Sequence, residues 1–281
     1  MTNQNFKIGV VAPGSRIDPE MAKKVRQVAA TSFQEKMLDI WFHPQCFLSS
    51  GHFAGNDTNR CEAFVEVAND TSFDAVWFAR GGYGSCRLIE RVLPKLTKEA
   101  RNKYYLGYSD VGSILAALYN EQFAKVLHGP MPADINRDGG DKAIERVLSY
   151  FLDRDRSSLE ATASVSKKTA AFNISILSQL LGTPFQPDLS DHVLMLEEVS
   201  EYIYRIDRSL FHITSNPGIR NVAGIMLGRC CNIPENDPDF GQTAEQVTEH
   251  WCAVAGIPYL GRADIGHDAD NKIVPFGAHE C

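Results

Sequence analysis

The sequence predicts an α/β protein whose first 150 residues build a parallel sheet, and three observations carry that expectation. Short runs of β-branched and aromatic residues alternate with segments of helical spacing, as repeated βα units require. The glycine-bearing turns fall just after the strands, where parallel sheets keep their functional loops. Near residues 151–168 the composition turns to serine and charge (DRDRSSLEATASVSKK), which marks a connection to a less regular second half. We therefore expect an N-terminal domain over 1–150, a linker over 151–168 and a C-terminal domain over 169–281.

In order, residues 7–12 (KIGVVA) read as a buried strand ending in the Pro13-Gly14-Ser15 loop. Asp18 and Pro19 then open a helix as N-cap and first-turn proline, with Met21, Val25 and Val28 on its apolar face. Residues 39–42 are a second strand, followed by a polar loop (HFAGND) and helical spacing over 60–68. Residues 74–79 (DAVWFA) are a third strand that runs directly into Arg80-Gly81-Gly82-Tyr83-Gly84-Ser85, with a helix expected from Arg87. In residues 103–118 (KYYLGYSDVGSILAAL), a short aromatic strand and a helix meet at Gly-Tyr-Ser-Asp. A serine on such a corner lies near free backbone N–H groups and the positive end of the helix dipole, a position that suits a nucleophile. Ser109 and Asp110 equally suit a plain helix cap, and Val111 breaks the G-x-S-x-G pattern. Gly81 and Gly82 match no dinucleotide or P-loop fingerprint. They fit either a tight packing turn or a backbone donor beside Ser109.

In the second half, residues 174–181 are helical and 192–196 (HVLML) form a buried strand that ends at Glu197 and Glu198. Those carboxylates either emerge into water or serve a buried purpose that offsets the cost of burial. An amphipathic helix over 202–214 leaves Arg205 and Arg208 off its apolar face. A strand over 222–227, a helix over 244–255, and strands over 257–265 and 272–276 complete the chain. His267 sits in the loop between those last strands, and His128 and His279 compete with it among the eight histidines.

Composition narrows the function. With 281 residues, 44% apolar and 22% charged, the chain is that of an ordinary globular protein of one large or two medium domains. A net charge of −7 and no basic run speak against nucleic acid or an anionic membrane as partner. The N-terminus has no signal-peptide pattern, and no apolar run nears the roughly 18 residues of a membrane span. Seven scattered cysteines without C-x-x-C predict a reducing cytosol, the scarcity of clustered His and Cys ligands predicts no structural metal, and no cofactor is expected. Cys86 lies just inside a helix start with no glutaminase motif around it.

Taken together, the APGS start, HFAGNDTNR, ARGGYGSCRLI, LGYSD, HGP, NISILSQLLGTP, LMLEEVSEYIYRIDRSL and IGHDADNKIVPFGAH resemble the serine L,D-carboxypeptidases, which include murein tetrapeptide carboxypeptidase and the microcin C self-immunity hydrolase. The resemblance implies a parallel N-terminal domain similar to class I glutamine amidotransferases, a smaller mixed α/β C-terminal domain, and a homodimer. It implies Ser109 as nucleophile, His267 as base and Glu197 as the third member, with backbone N–H groups of Gly82 and Asp110 as oxyanion hole. A murein tetrapeptide losing its terminal D-alanine is the implied substrate, and Arg80, Asn173 and Arg205 are candidates to bind it. Alternatives are a peptidyl- or aminoacyl-nucleotide hydrolase and a non-catalytic muropeptide-binding module. Two departures stand out. Ala171-Phe172-Asn173 replaces Gly-Gly-Asn, and Glu198 replaces the commoner aspartate. The sequence also stops soon after PFGAH, where relatives continue with another strand, so a trimmed second domain or a missing edge strand is expected.

Overall fold

The computed structural model describes residues 5–165 and 168–278. Its elements run β1 (Phe6–Val11), α1 (Pro19–Ser32), β2 (Leu38–Phe42), α2 (Asp57–Asn69), β3 (Ala75–Phe78), α3 (Ile89–Val92), β4 (Tyr104–Gly107), α4 (Gly112–Asn120), β5 (Val126–His128) and α5 (Gly140–Asp153). The second half adds β6 (Lys168–Asn173), α6 (Ile174–Leu180), β7 (Val193–Val199), α7 (Ile203–Ser215), β8 (Gly224–Cys231), α8 (Ala244–Ala255), β9 (Tyr259–Arg262), β10 (Val274–Pro275) and β11 (Gly277–Ala278).

Two sheets result. The first has the order β10-β5-β4-β3-β1-β2, parallel except for β10, and the second the order β11-β6-β7-β8-β9, parallel except for β11. Within the first sheet the sequence of strands 2-1-3-4-5 reverses direction between β1 and β3, which opens a crevice at their carboxyl ends. The loops after β1 and β3 meet there so closely that a Cβ on Gly14 would collide with the Gly82 carbonyl oxygen.

The capping chemistry expected of Asp18 holds, since its carboxylate accepts the Glu20 N–H at 2.8 Å. The helix expected from Arg87 shrinks to the single turn of α3, because Pro94 cannot continue an α-helical ladder. The last expected strand divides. β10 joins the first sheet, Gly277 turns the chain at φ 84°, and β11 joins the second. The segment 151–168 is no free tether among its described residues: α5 runs through Asp153, and the Glu160 N–H donates to the Ile273 carbonyl at 2.9 Å. One apolar cluster also crosses the seam, joining Phe78, Val111 and Ile114 to Phe172, Leu177 and Leu196. Groups contributed by both halves are therefore held against each other by packed core.

Candidate active site

Gly107 ends β4 against Phe78, where a Cβ would come 3.2 Å from the Phe78 side chain. Tyr108 is extended, and Ser109 then takes φ 62°, a left-handed conformation that a serine adopts only under constraint. A single 3-10 turn leads on into α4, and no side chain caps that helix start. The first N–H groups of the turn therefore lack intrahelical acceptors. Asp110 does not cap either. Its buried carboxylate accepts the Ser85 N–H at 2.9 Å and also meets the Ser85 hydroxyl, which ties the glycine loop to the serine corner. Burial, only partly offset by the Ser85 bonds, raises the pKa of this carboxyl.

The glycine loop itself is pinned from behind. Arg60, almost wholly buried, donates to the Gly84 carbonyl at 3.0 Å and to the Pro13 carbonyl, and pairs with Asp57. Gly81 lies against the serine so closely that a Cβ would come within 2.9 Å of Ser109 Oγ. Gly82 has φ 91° and faces Ser15.

The other half supplies the base. His267 Nε2 is 3.0 Å from Ser109 Oγ, and its Nδ1 is 2.5 Å from Glu197 Oε2. Glu197 is fully buried, and its Oε1 has no hydrogen-bond partner among the described residues, so the imidazole is its polar engagement. Burial pulls the His267 pKa down, but the charge and hydrogen bond of Glu197 outweigh it, and the net shift is upward. The His267 loop is fixed by Arg229, which pairs with Asp268 (Nη2 to Oδ1, 2.8 Å), and by Asn271 accepting the Gly266 N–H at 3.2 Å.

Sequence expectation and structure differ here in instructive ways. β7 does not end before the two glutamates. It runs through Val199, and both carboxylates are buried on alternate sides of the strand. Opposite Glu197 the register with β8 slips by one residue, and Gly228 fills the slip with Glu197 Cβ only 3.0 Å from where its own Cβ would be. Glu198 accepts from Asn173 Nδ2 (2.5 Å), the Ser175 N–H (2.9 Å) and the Val199 N–H (2.9 Å). Asn173 is therefore committed at both ends of its amide, since its Oδ1 caps α6 through Ile176 N–H, and it does not line the cleft. Arg205 does not reach the cleft either, because it pairs with Glu201 at 3.5 Å and donates to the Tyr204 hydroxyl. His128 is buried behind Tyr108 with Nε2 on Asn271, and burial drives its pKa down to about 4. His279 lies outside the described residues.

Ser109 and His267 open into a cleft of about 320 Å³ that Arg80, Gly81, Gly82 and Arg137 also line. A larger hollow of about 450 Å³ beside α1 and β2 shares none of these residues. Among the described residues no group of three His, Cys, Asp or Glu side chains could hold a metal ion. Sequence reasoning missed Arg137, Arg60 and Gly228. The available signals were a polar turn (NRDGG) after β5 for the first and a glycine inside a strand for the last.

A hydroxyl, an imidazole and a carboxylate in hydrogen-bonded series, on a parallel α/β scaffold, define a hydrolase of the serine type. Residues 8–129 match the LD-carboxypeptidase N-terminal domain and residues 168–280 the LD-carboxypeptidase C-terminal domain, so the chain belongs to the LD-carboxypeptidase family. It is 32% identical over 259 residues to a carboxypeptidase-named protein of Synechocystis sp., covering 87% of this chain and 84% of the relative. A Bacillus subtilis relative named probable murein peptide carboxypeptidase is 28% identical over 286 residues, covering 98% and 88%. In fold the chain is similar to the crystal structure of muramoyltetrapeptide carboxypeptidase from Oxalobacter formigenes, with TM-score 0.80, 22% identity and 96% and 92% of the two chains covered. It is also similar to the microcin C7 self-immunity protein in complex with aspartyl sulfamoyl adenosine, with TM-score 0.78, 16% identity and 97% and 91% covered.

Proposed function

We propose that the protein is a serine-type LD-carboxypeptidase that hydrolyses the L,D-peptide bond before the terminal D-alanine of murein tetrapeptides during cell-wall recycling. The observation that carries the reading is the series Glu197–His267–Ser109, open at its hydroxyl end to the cleft. Neutral His267 takes the Ser109 proton as the hydroxyl attacks the scissile carbonyl, then returns a proton to the leaving amine. Glu197 holds Nδ1 protonated and stabilises the imidazolium that forms between those steps. The N–H groups of Asp110 and Gly82 receive the developing oxyanion, and losing one such donor costs about 3–4 kcal/mol. Water then hydrolyses the acyl-serine by the same relay.

In this reading residues 1–150 carry the nucleophile, residues 169–281 carry the Glu and His, and the reaction takes place in the seam. The six described cysteines are all free, which supports a cytoplasmic location. Among the described residues no helix is long and apolar enough to cross a membrane. We also propose a homodimer, with neither nucleic acid nor membrane as partner, to be checked by light scattering.

The deciding experiment incubates the protein with a murein tetrapeptide and, separately, with an aminoacyl-sulfamoyl nucleotide. Release of D-alanine from the first is expected. Cleavage of the second alone assigns the chain to the immunity-type hydrolases. No cleavage, together with no fluorophosphonate labelling of Ser109, makes it a binding module.

A further inference from the structure

A peptidase that removes one terminal residue must hold that residue's free carboxylate, and the cleft offers two guanidinium groups for it, Arg80 and Arg137. They are held differently. Arg80 makes one long contact, from Nη1 to the Arg16 carbonyl at 3.3 Å. Arg137 is fixed by Asp134, whose Oδ1 accepts its Nε at 2.7 Å. Asp134 is buried and already accepts the Tyr108 hydroxyl at 2.8 Å and the Met131 N–H at 2.8 Å, so it is a rigid clamp with its charge spread over several donors. Arg137 Nη2 lies 3.4 Å from the Tyr108 hydroxyl, Nη1 makes no hydrogen bond among the described residues, and 39% of the side chain is exposed.

The chemistry selects between the two. In a terminal peptide bond the leaving nitrogen and the free carboxylate share one α-carbon, so the carboxylate's anchor must lie beside the imidazole that protonates that nitrogen. Tyr108 provides this adjacency. Its ring packs on His267 with centroids 4.8 Å apart, while its hydroxyl touches the Arg137 guanidinium. After burial and the larger, opposite pull of Glu197, the Arg137 charge also acts on His267 and opposes its protonation. We propose that Arg137, oriented by Asp134 and Tyr108, binds the free α-carboxylate of the residue that the enzyme releases. The geometry of a guanidinium fork suits a carboxylate. Docking the carboxylate also offsets the Arg137 charge that opposes imidazolium formation, so a free acid favours proton transfer from Ser109 to His267.

This rests on the carboxypeptidase reading, and the test separates the two. Tetrapeptide ending in a free acid and its C-terminal amide are compared in turnover by the wild type, Arg137→Gln and Arg137→Lys, and in binding to the same three proteins carrying Ser109→Ala. Wild type is expected to prefer the acid by about 100-fold in kcat/KM, chiefly through KM, as befits a hydrogen-bonded charge pair. Arg137→Gln should collapse the preference to within a few-fold in both turnover and binding. Arg137→Lys, which still gives Asp134 a positive partner, should retain part of it. An equal fall on both substrates would make Arg137 a structural residue only, and an unchanged preference would move the anchor to another cation. Either result overturns the proposal. Acid-selective binding that depends on Arg137, with no turnover by wild type, supports the anchor and defeats the hydrolase reading.

Discussion

Two strand-to-helix corners of this molecule begin alike and end differently. Each leaves the carboxyl end of an inner strand of a mostly parallel sheet and opens a helix, β4 into α4 and β6 into α6. At the second, Asn173 has φ −67°, and its side chain caps Ile176 N–H at 3.2 Å in the ordinary way. At the first, Ser109 has φ 62°, no side chain caps the helix, and the hydroxyl instead meets His267. Serine and asparagine are both good caps, so residue type does not decide between the outcomes. The sign of φ does. An extended residue aims its side chain back at the helix N–H groups, while a left-handed one turns it away and leaves those N–H groups free for an oxyanion. The strain of the left-handed serine costs about 1 kcal/mol or more, and it is held there by the Ser85–Asp110 tie and the Gly107 contact behind it.

The widest break in this comparison comes from Ser109→Ala, which should lower D-alanine release by about 10⁶-fold while the protein stays folded. Ser109→Gly sharpens it. Glycine accepts φ 62° without penalty, so the inactive variant should unfold at a higher temperature than Ser109→Ala, by about 2–4 °C for each kcal/mol of relieved strain. Equal melting temperatures would remove the strain argument.

Next in size is Glu197→Gln, expected to cost about 10⁴-fold in kcat by losing the tautomer and the imidazolium partner. Its pH profile is the sharper reading. A general base must be neutral, so wild-type kcat/KM falls as pH drops through a His267 pKa that stands above 6.5. Without Glu197 only burial remains as the main influence, and the acidic limb should move below 6.5. Linkage gives a second sign. Because the folded-state pKa is raised, the imidazolium–Glu197 pair stabilises fully below the ordinary histidine range and progressively less as pH rises through the raised value. A limb that does not move on substitution would mean that Glu197 does not set the histidine.

Gly81→Ala should act more mildly, lowering kcat by about 100-fold or less with little change in KM. The new Cβ lands 2.9 Å from Ser109 Oγ and displaces the nucleophile by a fraction of its distance to His267. This residue also shows how much of the site was legible beforehand. The GYSD corner and the RGGYGS loop could be read from local patterns, because turns and strands write short-range signatures, whereas the roles of Ser109, Glu197 and His267 followed only from the resemblance to a family. The slip opposite Glu197 could not, since it depends on β8 pairing with β7 and on Gly228 giving way. Arg137 escaped for a related reason: its value comes from Asp134 and Tyr108, and Tyr108 is brought beside it only by the fold. The burial of both Glu197 and Glu198 stood beforehand only as one of two readings, because an acidic pair after an apolar run usually marks a strand's exit into water.

Asn173→Ala makes the smallest change in turnover and the clearest contrast with the serine corner. It removes the cap of α6 and one of the donors that hold buried Glu198, two losses that together amount to about 2–3 kcal/mol of stability. The remaining donors to Glu198, from Ser175 and Val199, keep that carboxylate in place, so Glu197 on the neighbouring position should still reach His267. Thermal melts should therefore show a drop of several degrees, while kcat measured well below the transition falls less than tenfold. A much larger loss of kcat at full folding, concentrated on one substrate, would return Asn173 to the substrate-binding role that the family resemblance implied. A drop in stability alone keeps the division of labour between the corners: one spends its side chain on the helix, and the other withholds it for the reaction.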